Sequence, residues 1–126
     1  MTFLDTSLLV DALTGSKRCA PALRAAIHAG ERILLPSLVL YEWLRGPRLP
    51  QELAAQESLF PRETAIPFAW QESALSAKLF RSLHRARGRE IDLAIAACAI
   101  THDAALWTLN IADFKDIPDL RFYSAI

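Results

Sequence analysis

Phe3-Leu4-Asp5-Thr6-Ser7-Leu8-Leu9-Val10-Asp11 decides the fold. A short strand over Thr2 to Leu4 runs straight into an acid and two hydroxyl residues, and an apolar-periodic helix follows. Thr6 and Ser7 are good helix-cap residues, so the turn after Leu4 is tight. The Asp5 carboxylate therefore stands at the carboxyl end of a strand. In a parallel α/β sheet, that end is where ligands bind. The remaining chain is read by what else it delivers to the same place.

Outward from that stretch, Ser7 to Leu13 forms the first helix, ended by Gly15. Pro21 opens a second helix through Ala29, closed by Gly30, which is the favoured placement of proline and glycine. Arg32 to Leu35 is a short strand, broken by Pro36-Ser37, which caps a helix from Leu38 to Arg45. A short helix spans Pro50 to Ser58, and Arg62 to Ile66 is a weak strand. Pro67 to Ala86 predicts a long amphipathic helix with Trp70, Ala74, Ala77 and Phe80 on its apolar stripe. After Gly88, Glu90 to His102 is a nearly all-apolar, buried helix. Ala105 to Thr108 and Leu120 to Ser124 are strands, separated by a turn over Asn110 to Phe114. Strands alternating with helices argue for a parallel α/β sandwich.

The bulk composition sets limits. A chain of 126 residues with 52% hydrophobic residues fits one domain, residues 1–126, with a real core. A formal net charge of zero gives no global attraction to nucleic acid, so any such binding rests on a local patch. Cys19 and Cys98, in separate helical patterns, make neither a disulfide framework nor a zinc ligand set. There is no leader pattern at the N-terminus, and no apolar run approaches the ~20 residues that span a bilayer. The expectation is a soluble, cytoplasmic protein with no membrane contact.

Polar residues in apolar company carry the chemistry. Glu42 is the only charge in Leu38-Val39-Leu40-Tyr41-Glu42-Trp43-Leu44. Such a carboxylate must be solvated, paired or bound to a cation, because bare burial costs several kcal/mol. Pairing with Arg45 is the plain alternative. Asp92 is the lone acid of Ile91-Asp92-Leu93-Ala94-Ile95-Ala96-Ala97, where a first-turn position also suits the helix dipole. Asn110 and Asp113 follow the strand ending at Thr108, as turn residues often do. Each signal alone is weak. Together they converge acids on one sheet edge, where they repel unless a cation sits between them. Hard divalent cations take such oxygen ligands, and carboxylates on one or two metals serve displacement at phosphorus.

With these residues in view, the chain resembles the PIN domain family, specifically its VapC-type toxin endoribonucleases. Leu4-Asp5-Thr6-Ser7, Glu42 with Gly46, Asp92 with Ile95-Ala96-Ala97, and Thr108-x-Asn110-x-x-Asp113-Phe114 carry the resemblance, in order and over essentially the whole length. It implies a three-layer α/β/α sandwich around a parallel sheet of four to five strands. It implies a Mg²⁺ or Mn²⁺ cofactor and a hydrolytic endoribonuclease in which water activated at the acidic cluster attacks the phosphodiester. Asp5, Glu42, Asp92 and Asp113 are then the metal-binding and catalytic acids, with Thr6, Ser7, Thr108 and Asn110 in support. Many family members have Asp where this chain has Asn110. Either Asp113 takes that role, directly or through water, or the site holds only one metal firmly. The resemblance also implies an RNA substrate, a homodimer and a cognate antitoxin.

Lys78, Arg81 and Arg85 recur at helical spacing, and Arg87 and Arg89 follow. This basic stretch beside Asp92 is the candidate RNA contact, with a solvated helix face as the alternative. Trp43, Trp70, His28, His84 and His102 read as packing, dimer-contact or surface residues. A haloacid dehalogenase phosphatase would need Asp where Ser7 stands, and a receiver domain would need an N-terminal acid pair. The remaining competitor is a catalytically weak or inactive PIN scaffold that binds protein or RNA, which Asn110 keeps open.

Overall fold

The computed structural model describes residues 1–124, so the last two residues of the expected domain lie outside the described residues. β1 (Thr2–Leu4) lies at the centre of a parallel sheet of order β2-β1-β3, with β2 at Ile33–Leu34 and β3 at Ala105–Trp107. Phe3 pairs with Leu34 on one side and with Leu106 on the other. All three residues of β1 are buried, so both faces of the sheet are covered. A near-continuous apolar run is what such a position requires.

Among the described residues six α-helices provide the cover: α1 (Thr6–Leu13), α2 (Ala20–His28), α3 (Ser37–Arg45), α4 (Pro50–Leu59), α5 (Trp70–Ser82) and α6 (Glu90–Thr101). α1 packs on α2, α3 and α4, while α6 packs on α5, α3 and β3. The core runs through Phe3, Leu8, Leu9, Trp43, Leu93, Ile95, Leu106 and Phe114, each at most 1% exposed. Trp43 is thus a core residue, with the Arg48 guanidinium stacked 4.3 Å from its ring centroid.

Three expectations need correction. The sheet has three strands among the described residues, not four to five. Arg62–Thr64 is a turn of 3₁₀ helix, and only Ile66 reaches the sheet, by a single bridge to Pro36. Pro67, which has no N–H, cannot continue that ladder. The expected strand at Leu120 to Ser124 is likewise one bridge, Phe122 to Leu106, with its hydrogen bonds confined to the two sides of Leu106.

The third correction concerns α5. It ends at Ser82, and the stripe Trp70, Ala74, Ala77 and Phe80 faces outward, with Trp70 74% exposed. The buried face carries Glu72 and Leu79, with Leu75 packed against the core. Glu72 is tolerated inside because its carboxylate meets the His102 ring, Oε2 to Nε2 at 2.9 Å.

Candidate active site

Asp5 leaves β1 and Thr108 leaves β3, so two adjacent parallel strands deliver them to one sheet edge. The Asp5 N–H donates to the Trp107 carbonyl at 2.9 Å, which carries the ladder up to the acid itself. Asp5 is the residue before α1, but its side chain does not cap the helix. Instead the Thr108 hydroxyl donates to Asp5 Oδ2 at 2.7 Å and the Ser7 hydroxyl donates to the same oxygen at 2.9 Å. Each hydroxyl is fixed in turn by a backbone donor. Leu109 N–H reaches Ser7 Oγ at 3.2 Å, and Asn110 N–H reaches Thr108 Oγ1 at 3.0 Å. The buried Asp5 carboxylate is therefore held through one oxygen, and no hydrogen bond to its Oδ1 occurs among the described residues.

Glu42 enters from α3. The Thr6 hydroxyl donates to Glu42 Oε1 at 2.5 Å, and Arg45 reaches Oε2 at 3.4 Å. The plain pairing with Arg45 is thus present, but as a long contact to a half-exposed guanidinium that also lies over the Tyr41 ring. Such a surface pair holds weakly.

Asp92 sits in the first turn of α6 and behaves differently. Among the described residues its side chain receives no hydrogen bond. Its pKa is pushed up to about 6, first by burial and then by the negative charges of Asp5, Glu42 and Asp113; Arg89 only partly offsets this. Three acids acting on a fourth mark one shared electrostatic site.

Asp113 lies exposed in a 3₁₀ turn, Ile111–Asp113, while Asn110 contributes its backbone N–H to the network rather than its amide. The 113–116 segment is tied down by Arg89, which donates to the Asp113 carbonyl at 2.7 Å and grips Asp116 through two bonds of 2.6 and 2.9 Å. That grip holds the Asp116 carboxyl below the usual range. Arg89 is therefore largely engaged within the protein. Lys78, Arg81, Arg85 and Arg87 are exposed, but Arg85 and Arg87 lie past the end of α5, so the expected single helix face does not form. Arg85, Arg89 and Lys115 instead rim a pocket beside Asp113 and Asp116.

The sequence reading missed Lys115 and the Arg89–Asp116 clamp, whose partners lie 27 residues apart with no shared motif. It also missed Glu72, which with Cys98 and His102 is the one trio among the described residues whose donor atoms lie within 4.8 Å of one another. The strand-end acids do not come as close together.

This arrangement fits a hard divalent cation. The donors are all oxygen, one Asp5 oxygen is unclaimed, and Asp92 carries uncompensated negative charge.

The sequence pattern of the PIN domain family matches residues 2–120. The chain is 36% identical over 124 residues to Ribonuclease VapC19 of Mycobacterium tuberculosis, covering 96% of this chain and 98% of that protein. It is 33% identical over 128 residues to Ribonuclease VapC1 of Rickettsia felis, covering 94% and 91%. In fold it is similar to the DNA-bound VapBC structure from Salmonella typhimurium, with a TM-score of 0.81 at 20% identity over 99% of this chain and 98% of that one. No helix among the described residues is long and apolar enough to cross a membrane. The match to the family pattern over residues 2–120 and these relatives show that the chain belongs to the PIN domain family, among its VapC ribonucleases.

Proposed function

We propose that this chain is the toxin of a toxin–antitoxin pair, an endoribonuclease that hydrolyses RNA phosphodiester bonds at the Asp5, Glu42, Asp92 and Asp113 cluster with Mg²⁺ or Mn²⁺. The observation that carries this reading is the asymmetry of Asp5. Both hydroxyls, of Ser7 and Thr108, take Oδ2, which leaves Oδ1 directed by the network yet unclaimed. A divalent cation held by Asp5, Glu42, Asp92 and Asp113 would supply positive charge against the phosphate and lower the pKa of a water. Ser7 and Thr108 orient Asp5, and Thr6 orients Glu42. Asp92, raised towards neutrality, supplies charge that a cation would neutralise. Arg89 positions Asp113 by holding its backbone. Asn110, in this reading, supports Thr108 through its N–H, so an amide at that position is compatible with an active site.

Lys78, Arg81, Arg85 and Arg87, now with Lys115, are the proposed phosphate contacts for RNA. The exposed stripe of Trp70, Ala74, Ala77 and Phe80 is an apolar surface that a second copy would cover in a homodimer. Solved structures of similar fold include VapBC2 of Rickettsia felis and VapBC of Salmonella typhimurium, which supports an antitoxin protein as the partner. The scaffold-only reading is disfavoured by the two-hydroxyl brace on Asp5, which fixes a buried carboxylate with one oxygen left free for a ligand.

The test is RNA cleavage by purified protein with Mg²⁺ or Mn²⁺, beside Asp5→Ala prepared identically. Metal-dependent cleavage lost in the variant supports the reading. Equal cleavage in both reveals contaminating nuclease, and no cleavage of several structured RNAs favours the scaffold.

A further inference from the structure

At the opposite end of α6 lies a second cluster with different chemistry. Cys98 and His102 stand four residues apart, on one face of the helix, and Glu72 projects from the first turn of α5. Their ligand atoms all lie within 4.8 Å of one another. Glu72 and Cys98 are each 2% exposed, while His102 opens to solvent. Glu72 Oε2 meets His102 Nε2 at 2.9 Å, and among the described residues Glu72 Oε1 is buried with no hydrogen-bond partner of good geometry. Burial pushes the Glu72 carboxyl up, but its own backbone N–H, His102 and the Ala69 N–H together hold it below the usual range, so the buried group stays ready to ligate as a carboxylate. The His102 ring is itself positioned by Phe3, with centroids 5.8 Å apart.

We propose that Glu72, Cys98 and His102 form a metal site for a borderline-soft divalent cation of the zinc type, which clamps the start of α5 to the end of α6. Thiolate, imidazole and carboxylate together suit zinc, whereas the oxygen-only Asp5 cluster suits magnesium or manganese. Bonds of about 2.0–2.3 Å put tetrahedral ligands roughly 3.5 Å apart, so small side-chain rotations close the trio. The cation enters between Nε2 and the carboxylate, satisfies the orphaned Oε1 side of Glu72, and releases the Cys98 proton to water. A water completes the coordination from the opening lined by Pro67, Ala69, Gln71 and Thr101. Ten residues of helix, about 15 Å, separate His102 from Asp92, so this site stands apart from the acidic cluster and does not depend on its function.

The experiment is titration of the full chain, stripped with chelator and kept reduced, with Co²⁺, then Zn²⁺. The proposal predicts a thiolate-to-cobalt charge-transfer band with intense tetrahedral d–d absorption, both displaced by Zn²⁺. Cys98→Ser abolishes the charge-transfer band, and His102→Gln weakens Co²⁺ binding by at least about tenfold. Cys19→Ser and Asp5→Asn leave the band in place. If Cys98→Ser does not fold, His102→Gln decides, since its side chain reaches solvent. Wild-type protein with no charge-transfer band overturns the proposal. So does a band that survives Cys98→Ser, a band lost in Cys19→Ser, or Co²⁺ binding unchanged by His102→Gln.

Discussion

Asp5 and Asp92 share one site and are treated in opposite ways. Asp5 is the more deeply buried, yet two hydroxyls donate to it and two backbone N–H groups fix those hydroxyls. Asp92 keeps an edge towards solvent but receives no hydrogen bond among the described residues, and its pKa is pushed up to about 6. Depth alone therefore does not describe a carboxylate's setting: Asp5 is met by donors, whereas Asp92 meets burial and three like charges without one. The protein braces one oxygen of Asp5 itself and leaves the other, with the surplus negative charge of Asp92, for an external cation.

The sharpest way to break this contrast is to remove each acid in turn. Asp5→Asn and Asp92→Asn are each expected to lower RNA cleavage at least about a hundredfold, equal to ~2.7 kcal/mol of barrier. Near-normal cleavage by either variant would remove that acid from the chemistry. Next in size is Thr108→Val, which deletes the shorter donor to Asp5 while keeping shape. Urea unfolding should show a loss of about 1–3 kcal/mol, the usual cost of an under-satisfied buried polar group. An unchanged midpoint would mean that Asp5 does not need the hydroxyl.

The same comparison has a pH signature. Asp92 binds its proton more tightly when folded than unfolded, since its folded pKa is raised from 3.8 to about 6. Its contribution to folding is therefore unfavourable above about pH 6 and is relieved as pH falls towards 4. In chelator at about pH 7.5, Asp92→Asn should be more stable than wild type by on the order of 1 kcal/mol after allowance for solvent access, and the difference should vanish near pH 4. A pH-independent difference would locate the effect elsewhere. The smallest expected change is for Arg85→Ala, which should reduce the salt dependence of RNA binding by about one unit of slope. No change in slope would exclude Arg85 from phosphate contact.

Much of the fold and part of the site were legible in the sequence, and the boundary between the two is physical. Helix ends marked by Gly15, Gly30 and Gly46, and acids isolated in apolar runs, announce themselves locally. The central strand did too, because Thr2-Phe3-Leu4 precedes a polar turn. The two outermost strands did not, because each is reduced to a single bridge, Pro36 to Ile66 and Leu106 to Phe122, and how far a ladder extends is set by a partner distant in sequence. The inward face of α5 was misread because Trp70 and Phe80 outweigh Glu72 in any hydrophobic pattern, whereas the partner that makes Glu72 burial tolerable, His102, lies 30 residues away. Arg89 read as a phosphate contact for the same reason: nothing near it in sequence shows its grip on Asp116.

The most direct measurement is thermal unfolding of wild type and Asp92→Asn, each with chelator and with saturating Mg²⁺, a cation the Glu72–Cys98–His102 trio would not favour. The account predicts that the variant melts higher than wild type in chelator, and that Mg²⁺ raises the wild-type midpoint but barely moves that of the variant. A variant that melts lower in chelator, or gains as much from Mg²⁺ as wild type does, would contradict the claim that Asp92 is the uncompensated half of a divalent-cation site.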